Sequence, residues 1–224
     1  MSQHPFYIRF IFLFFLTGSL QLKAQEITPD DSFTFDLCLP NATANRAFEK
    51  VMIGLVHAST HYQYAFKSSF YVGAGVHYSY FAINEFRLQP KVYGGIHSGA
   101  AFFKTGHEKF WSERFGTDIG LRAGWVRSYV NSDALAAQNI SPQIREGLYL
   151  EPNISFILTS DVNQSFRLTI GYPFYGYPFS PGLIGAEGDL GYDPAEFQRN
   201  SSFLSAGFGY TYYFNGKKST ALED

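Results

Sequence analysis

Two sets of residues have the types and spacing for chemistry. His57 and Ser59 stand two apart, with His61 two further on, and a serine beside a histidine is the beginning of a nucleophile and base pair for acyl transfer. No acid can be assigned to that pair from the sequence. The second set is ionic: Asp118, Arg122, Glu151 and Arg167 come from three successive segments of alternating polarity. Held away from water, each charge alone carries a large desolvation cost, so such residues are expected to pair. Their alternative place is a water-exposed rim. His107-Glu108 lacks the second histidine of a zinc-protease helix and reads as charged surface in a turn. His77 and His97 are read as facing the same side as the charges, as packing groups without a metal site. No metal and no cofactor is expected. Cys38 is the one cysteine, has no intramolecular disulfide partner, and reads as a small apolar strand residue.

What positions these residues is a period of two. Leu204, Ala206, Phe208, Tyr210, Tyr212 and Phe214 alternate with Ser205, Gly207, Gly209, Thr211 and Tyr213. One strand face is therefore apolar and aromatic, and the other small or polar. The stretch is as long as the roughly 9–11 residues a tilted strand needs to cross a bilayer. The same alternation sets Phe33, Phe35, Leu37 and Leu39 against Thr34, Asp36 and Cys38 in a first strand that ends at Pro40. A second strand sets Met52 to Phe66 against His57, Ser59, His61 and Gln63, and a third sets Val72 to Tyr80 against Gly73, Gly75, His77 and Ser79. In a fourth, Leu88, Pro90, Val92, Ile96, Ala100 and Phe102 are placed on the apolar side, and 104–114 is read as a charged turn. A fifth carries Asp118 and Arg122 opposite Ile119 and Leu121, followed by a polar loop over 127–146. A sixth carries Glu151 opposite Leu150, and a seventh carries Arg167 opposite Leu168 and ends near Tyr172.

Eight strands with long connections near Pro40, Arg127 and Pro173 and short ones near Lys67 and Asp161 describe an all-β fold. It is an eight-stranded antiparallel up-and-down transmembrane β-barrel, with lipid against the apolar face and a filled lumen inside. The rival is a soluble barrel with its apolar face inward. The polar face argues against it, being largely Gly, Ser, His and single charges where a water-facing strand would carry Lys, Glu and Thr. The chain has 17 Lys and Arg against 19 Asp and Glu, and no basic cluster tracks a face, so no nucleic-acid partner is expected.

Residues 1–24 read as a cleavable signal peptide: Arg9, an apolar run from Phe10 to Leu20, and Ala24 before a cut ahead of Gln25. The barrel then spans 25–214, and 215–224 forms a periplasmic tail. The loop from Pro173 to Asn200 is too apolar to hang in water. Its Tyr175, Tyr177, Phe179, Tyr192 and Phe197 either fold over the barrel mouth or contact a surface ligand or partner protein.

With the strands placed, the chain resembles small eight-stranded outer-membrane barrels of the OmpA/OmpX-like class, and looks most similar to uncharacterised Bacteroidetes-type barrels. The residues that carry this are Phe70-Tyr71-Val72-Gly73-Ala74-Gly75-Val76, Arg114-Phe115-Gly116 and Gly207-Phe208-Gly209-Tyr210-Thr211-Tyr212-Tyr213-Phe214. The last resembles the signal read by the barrel-assembly machinery, although Asn215 to Asp224 follow it. The resemblance implies a bacterial outer-membrane location with periplasmic termini, outer-membrane lipids as neighbours, and a non-enzymatic role, structural or through external loops that meet a ligand or membrane-protein partner. The alternatives are a lipid-modifying enzyme, since His57-x-Ser59 resembles lipid A deacylases in spacing, or a narrow small-solute channel.

Overall fold

The structure, a computed structural model, describes residues 27–140, 142–186, 193, 195, 197, 199–215 and 218–219. The expected signal peptide, Tyr192 and most of the tail after Phe214 lie outside the described residues.

Within the barrel sheet alternation yields nine strand segments, apart from a two-residue pairing of Ile27–Thr28 with Lys218–Ser219: β1 (Ser32–Ala42), β2 (Met52–Ala65), β3 (Phe70–Ile83), β4 (Gly94–Phe110), β5 (Phe115–Ser132), β6 (Gln143–Asp161), β7 (Gln164–Gly171), β8 (Phe174–Pro178) and β9 (Asn200–Tyr213). β7 and β8 are one stave. They keep a single register against β6, with Asn153 opposite Gly171 and Leu150 opposite Phe174. The ladder lapses between them at Pro173, which has no N–H to give. Eight staves therefore pair antiparallel in chain order, and β9 closes on β1 with Phe208 opposite Leu37 and Gly209 opposite Asp36. Closure leaves the sheet without a free edge.

The faces separate by polarity. Phe208 is 75% exposed on the outside, with Leu37, Val76, Phe103, Ile119 and Leu148 also outward, while Arg122 is 2% exposed inside. Outward aromatic residues mark two levels: Tyr78, Trp125 and Tyr129 toward one end, and Tyr62, Tyr64, Trp111 and Tyr212 toward the other. At roughly 3.3 Å per residue and a tilt of about 40°, the stretch of β4 from His97 to Lys109 rises ~30 Å, close to the apolar height of a bilayer.

Connections sort by end. The turns 66–69, 111–114 and 162–163 are short, and the connections 43–51, 84–93, 133–142 and 179–199 are long and lie at the opposite end. Two short helices, α1 (Arg46–Val51) and α2 (Asp133–Ala137), and a 3-10 turn over Pro181–Ile184 cap that loop end. They cover an apolar core inside the upper barrel, built from Phe48, Phe81, Val126, Val130, Phe179 and Phe203 among others.

That core corrects several expectations. Ile96, Ala100 and Phe102 of β4 point inward, and Leu88 and Val92 pack into the plug above them. The register of the fourth strand is therefore one residue out of phase with the apolar-outside rule, because the upper interior is itself apolar. His97 faces outward and stacks on Tyr80 at 4.4 Å. β4 runs on through 104–110, so the charged segment is strand, and only 111–114 turns. Met52 is inward because a register shift between Gly54 and Val56 changes the phase of β2. β1 continues through Pro40 to Ala42, and β5 and β6 extend into the segment read as a polar loop. The seventh stave likewise passes Tyr172 and reaches Pro178.

Candidate functional site

The lower lumen holds an ionic network to which all eight staves contribute. Arg122 on β5 donates from Nη2 to Asp36 Oδ2 at 2.8 Å, and from Nη1 to Glu151 Oε1 at 3.3 Å and to Ser59 Oγ at 3.1 Å. Ser59 in turn donates to Asp36 Oδ2, and Thr169 to Asp36 Oδ1. Tyr149 donates to Glu151.

Arg167 on β7 organises the other half. It donates to Asp118 Oδ2 at 2.7 Å, Glu108 Oε2 at 2.5 Å and Thr211 Oγ1 at 2.6 Å. Lys104 donates to Asp118 Oδ2 at 2.8 Å and to Gln63 Oε1 at 2.7 Å. Tyr71 and Tyr213 give their hydroxyl protons to Asp118 and Glu108. Buried charge among the described residues thus comprises the carboxylates Asp36, Glu108, Asp118 and Glu151 and the cations Lys104, Arg122 and Arg167, every one in an ion pair. Such pairing offsets what burial would otherwise cost each ion.

Glycine makes the room. A Cβ on Gly171 would stand 2.4 Å from Glu151 Oε1, and one on Gly209 would stand 2.2 Å from Asp36 Oδ1. Side chains from neighbouring staves occupy the volume that these two residues leave empty.

The four residues singled out from sequence fall into two groups: Arg122 meets Glu151, and Arg167 meets Asp118. Sequence reasoning missed Asp36, Lys104 and Glu108 as members. Asp36 lay on the polar face of the first strand, a usable signal. Lys104 and Glu108 were masked by the charge density of their segment, though their i, i+4 spacing in an extended strand puts them on one face.

His57 and Ser59 are both buried inside, at 1% and 3% exposure. They do not hydrogen-bond to each other. Ser59 Oγ is engaged by Asp36 and Arg122, and neither ring nitrogen of His57 has a hydrogen-bond partner among the described residues. His57 Nε2 lies 3.9 Å from Glu151 Oε2, and its ring packs on His77 and Phe203.

Above the ions, tyrosines form a middle layer. Tyr175 OH shares hydrogen bonds with His77 Nε2 at 2.9 Å and Ser79 Oγ at 2.8 Å, and Tyr177 OH shares one with Ser128 at 2.6 Å. Tyr175 and Tyr177 are thus lumen residues of a stave, not part of a loop. Phe179, Leu183 and Ile184 fill the mouth, and Phe197 packs against them partly buried. The plug is tied at two helix N-caps. Asn45 caps α1 through Phe48 N and donates to the carbonyls of Phe179 and Arg199, and Ser132 caps α2 through Leu135 N and donates to Ile184 O at 2.7 Å.

Fold and site together define a closed eight-stranded β-barrel with buried ion pairs in its lower lumen, a tyrosine layer above them and an apolar plug at the loop end. No protein-family model matches the sequence, and no curated protein matches it either. The fold is similar to that of Neisserial surface protein A, with a TM-score of 0.53 at 11% identity over 82% of this chain and 97% of that one. OprG from Pseudomonas aeruginosa aligns at 0.49 with 12% identity, covering 85% of this chain and 100% of its own. Ail, the attachment invasion locus protein of Yersinia pestis, aligns at 0.45 with 11% identity, covering 82% and 99%. At such identities the likeness concerns the fold.

Proposed function

We propose that this chain is a non-enzymatic protein of a bacterial outer membrane, with a sealed lumen, its loop end outside the cell and its termini in the periplasm. The observation that carries the reading is the pairing of an outward apolar belt with an interior filled by ion pairs and an apolar plug. Lipid satisfies the first, and the second supports a lumen closed to water. Long connections at one end and short turns at the other support the orientation, and the barrel it resembles in fold is a surface protein.

In this reading the work is done at the loop end. A cleft of about 440 Å³ lies there between the 84–93 connection and α2, floored by Leu88 and Val92 and rimmed by Gln89, Lys91, Asp133 and Gln138. Its mixture of apolar floor and polar rim suits an external ligand or partner protein.

An epitope tag inserted in the 133–142 connection tests this: antibody should label intact cells, whereas a tag in the 111–114 turn should need permeabilised cells. The protein should fractionate with outer membranes and change gel mobility on heating. Steady single-channel currents in planar bilayers, or labelling with the reverse sidedness, would overturn it.

A further inference from the structure

The wall carries an apolar groove of about 300 Å³ on its outer side, where β6, β7 and β9 meet, lined by Pro152, Ile154, Ile170, Tyr172 and Leu204, with Gly171 and Asn153 at its base. We propose that this groove holds one acyl chain of a lipid from the loop-side leaflet; the inference rests on the membrane reading above.

Three features converge there. Pro152 on β6 faces Tyr172 across the strand gap, and Pro173 follows at once, so two residues in adjoining staves lack the N–H that a ladder uses. Gly171 lacks only an inward side chain, and the space inside it is taken by Glu151. The groove is therefore backed by a filled interior and does not open into it.

The groove is also oriented. Its upper edge is Tyr172, whose ring meets Phe174 edge-on at 4.8 Å and whose hydroxyl shares hydrogen bonds with Thr43 Oγ1 at 2.8 Å and Ser202 Oγ at 3.4 Å. An amphipathic tyrosine with hydroxyl neighbours belongs at the polar boundary of a bilayer. Across β9, Leu204 is opposite Asn41, the first polar outward residue of β1 after Phe33, Phe35, Leu37 and Leu39. A lipid seated here would place its ester region beside those hydroxyls and run its chain down past Ile170 and Ile154. A protein helix or a second barrel is too wide for an indentation of this size.

Isoleucine and valine methyl NMR of the full barrel in phosphatidylcholine nanodiscs doped with a doxyl-labelled stearoyl lipid tests the idea. Val76, on β3 across the barrel from the groove, is 54% exposed and Ile170 only 36%. Simple contact with surrounding lipid therefore broadens Val76 more. A resident chain reverses the order, broadening Ile154 and Ile170 most, and Leu204→Trp, which fills the groove, abolishes that excess. Broadening that follows exposure, or that is unchanged in L204W, overturns the site and leaves the membrane reading intact. Absence of broadening at Val76, Ile154 and Ile170 alike overturns both. A repeat with added lipid A that displaces the labelled chain identifies the preferred lipid.

Discussion

Arg122 and Asp36 are 86 residues apart in the chain and joined in the lumen at 2.8 Å, Nη2 to Oδ2. The same guanidinium serves Glu151, so two carboxylates depend on one cation. Arg122→Met should destabilise the barrel by about 3–5 kcal/mol, the usual result of leaving buried charge unpaired. Adding Glu151→Gln to Arg122→Met should recover part of that loss, since one of the two stranded carboxylates is gone. Equilibrium unfolding in urea from lipid vesicles measures both. Strict additivity of the two changes would mean that the pair is not coupled.

Lys104 and Lys109 are five residues apart on β4 and face opposite ways. Lys104 is buried against Asp118, and Lys109 is exposed beside Trp111. Lys104→Met should cost about 3 kcal/mol, the low end for a broken buried pair because Arg167 still holds Asp118. Lys109→Met should stay within about 0.5 kcal/mol of the parent. Equal effects in the same unfolding assay would restore the reading of 104–114 as a solvated turn.

These two lysines also show where sequence reasoning succeeded and where it stopped. Alternation located the staves around Phe35, Ile119, Leu150, Leu168 and Phe208 and their facing, because in each one side is apolar and the other small, polar or charged. It failed at Ile96, Ala100 and Phe102, where both faces of the strand are apolar, one meeting the outer belt and one the internal plug. The rule that apolar means outward has no purchase there. Proline misled as well. Pro40 and Pro173 read as strand ends in the sequence, but each withdraws only one donor from a ladder that continues beyond it. A register shift such as the one between Gly54 and Val56 leaves no mark on composition.

The plug is fastened by two caps, and each should be separable from the barrel. Asn45→Ala removes a helix cap and two hydrogen bonds to the last long connection, and Ser132→Ala removes a cap and one. Losing a cap is worth about 1 kcal/mol. Each variant should keep its heat-modifiable barrel while protease cuts the 179–199 connection faster. Unchanged cleavage in both would show that packing of Phe179 and Ile184 suffices.

Ser59 offers a direct comparison with the enzymatic alternative. Its hydroxyl donates to Asp36 and accepts from Arg122, with no hydrogen bond from His57. Ser59→Ala should therefore leave lipid A acylation of the producing cells unchanged by mass spectrometry, while lowering barrel stability by about 1 kcal/mol for the lost hydrogen bonds. A shift in lipid A acylation would establish acyl chemistry at this serine.

The most direct test of the whole account is a nitroxide scan of the outward positions 204, 206, 208, 210 and 212 of β9, one cysteine at a time on a Cys38→Ala background in lipid bilayers. Oxygen dissolved in lipid should relax the labels at 204, 206, 208, 210 and 212, and a water-soluble nickel chelate should reach none of the labels in the middle of the strand. Reaction of the buried Cys38 thiol of the folded parent protein with a water-soluble maleimide would contradict the sealed lumen, and chelate access at 206 and 208 would contradict the lipid-facing wall.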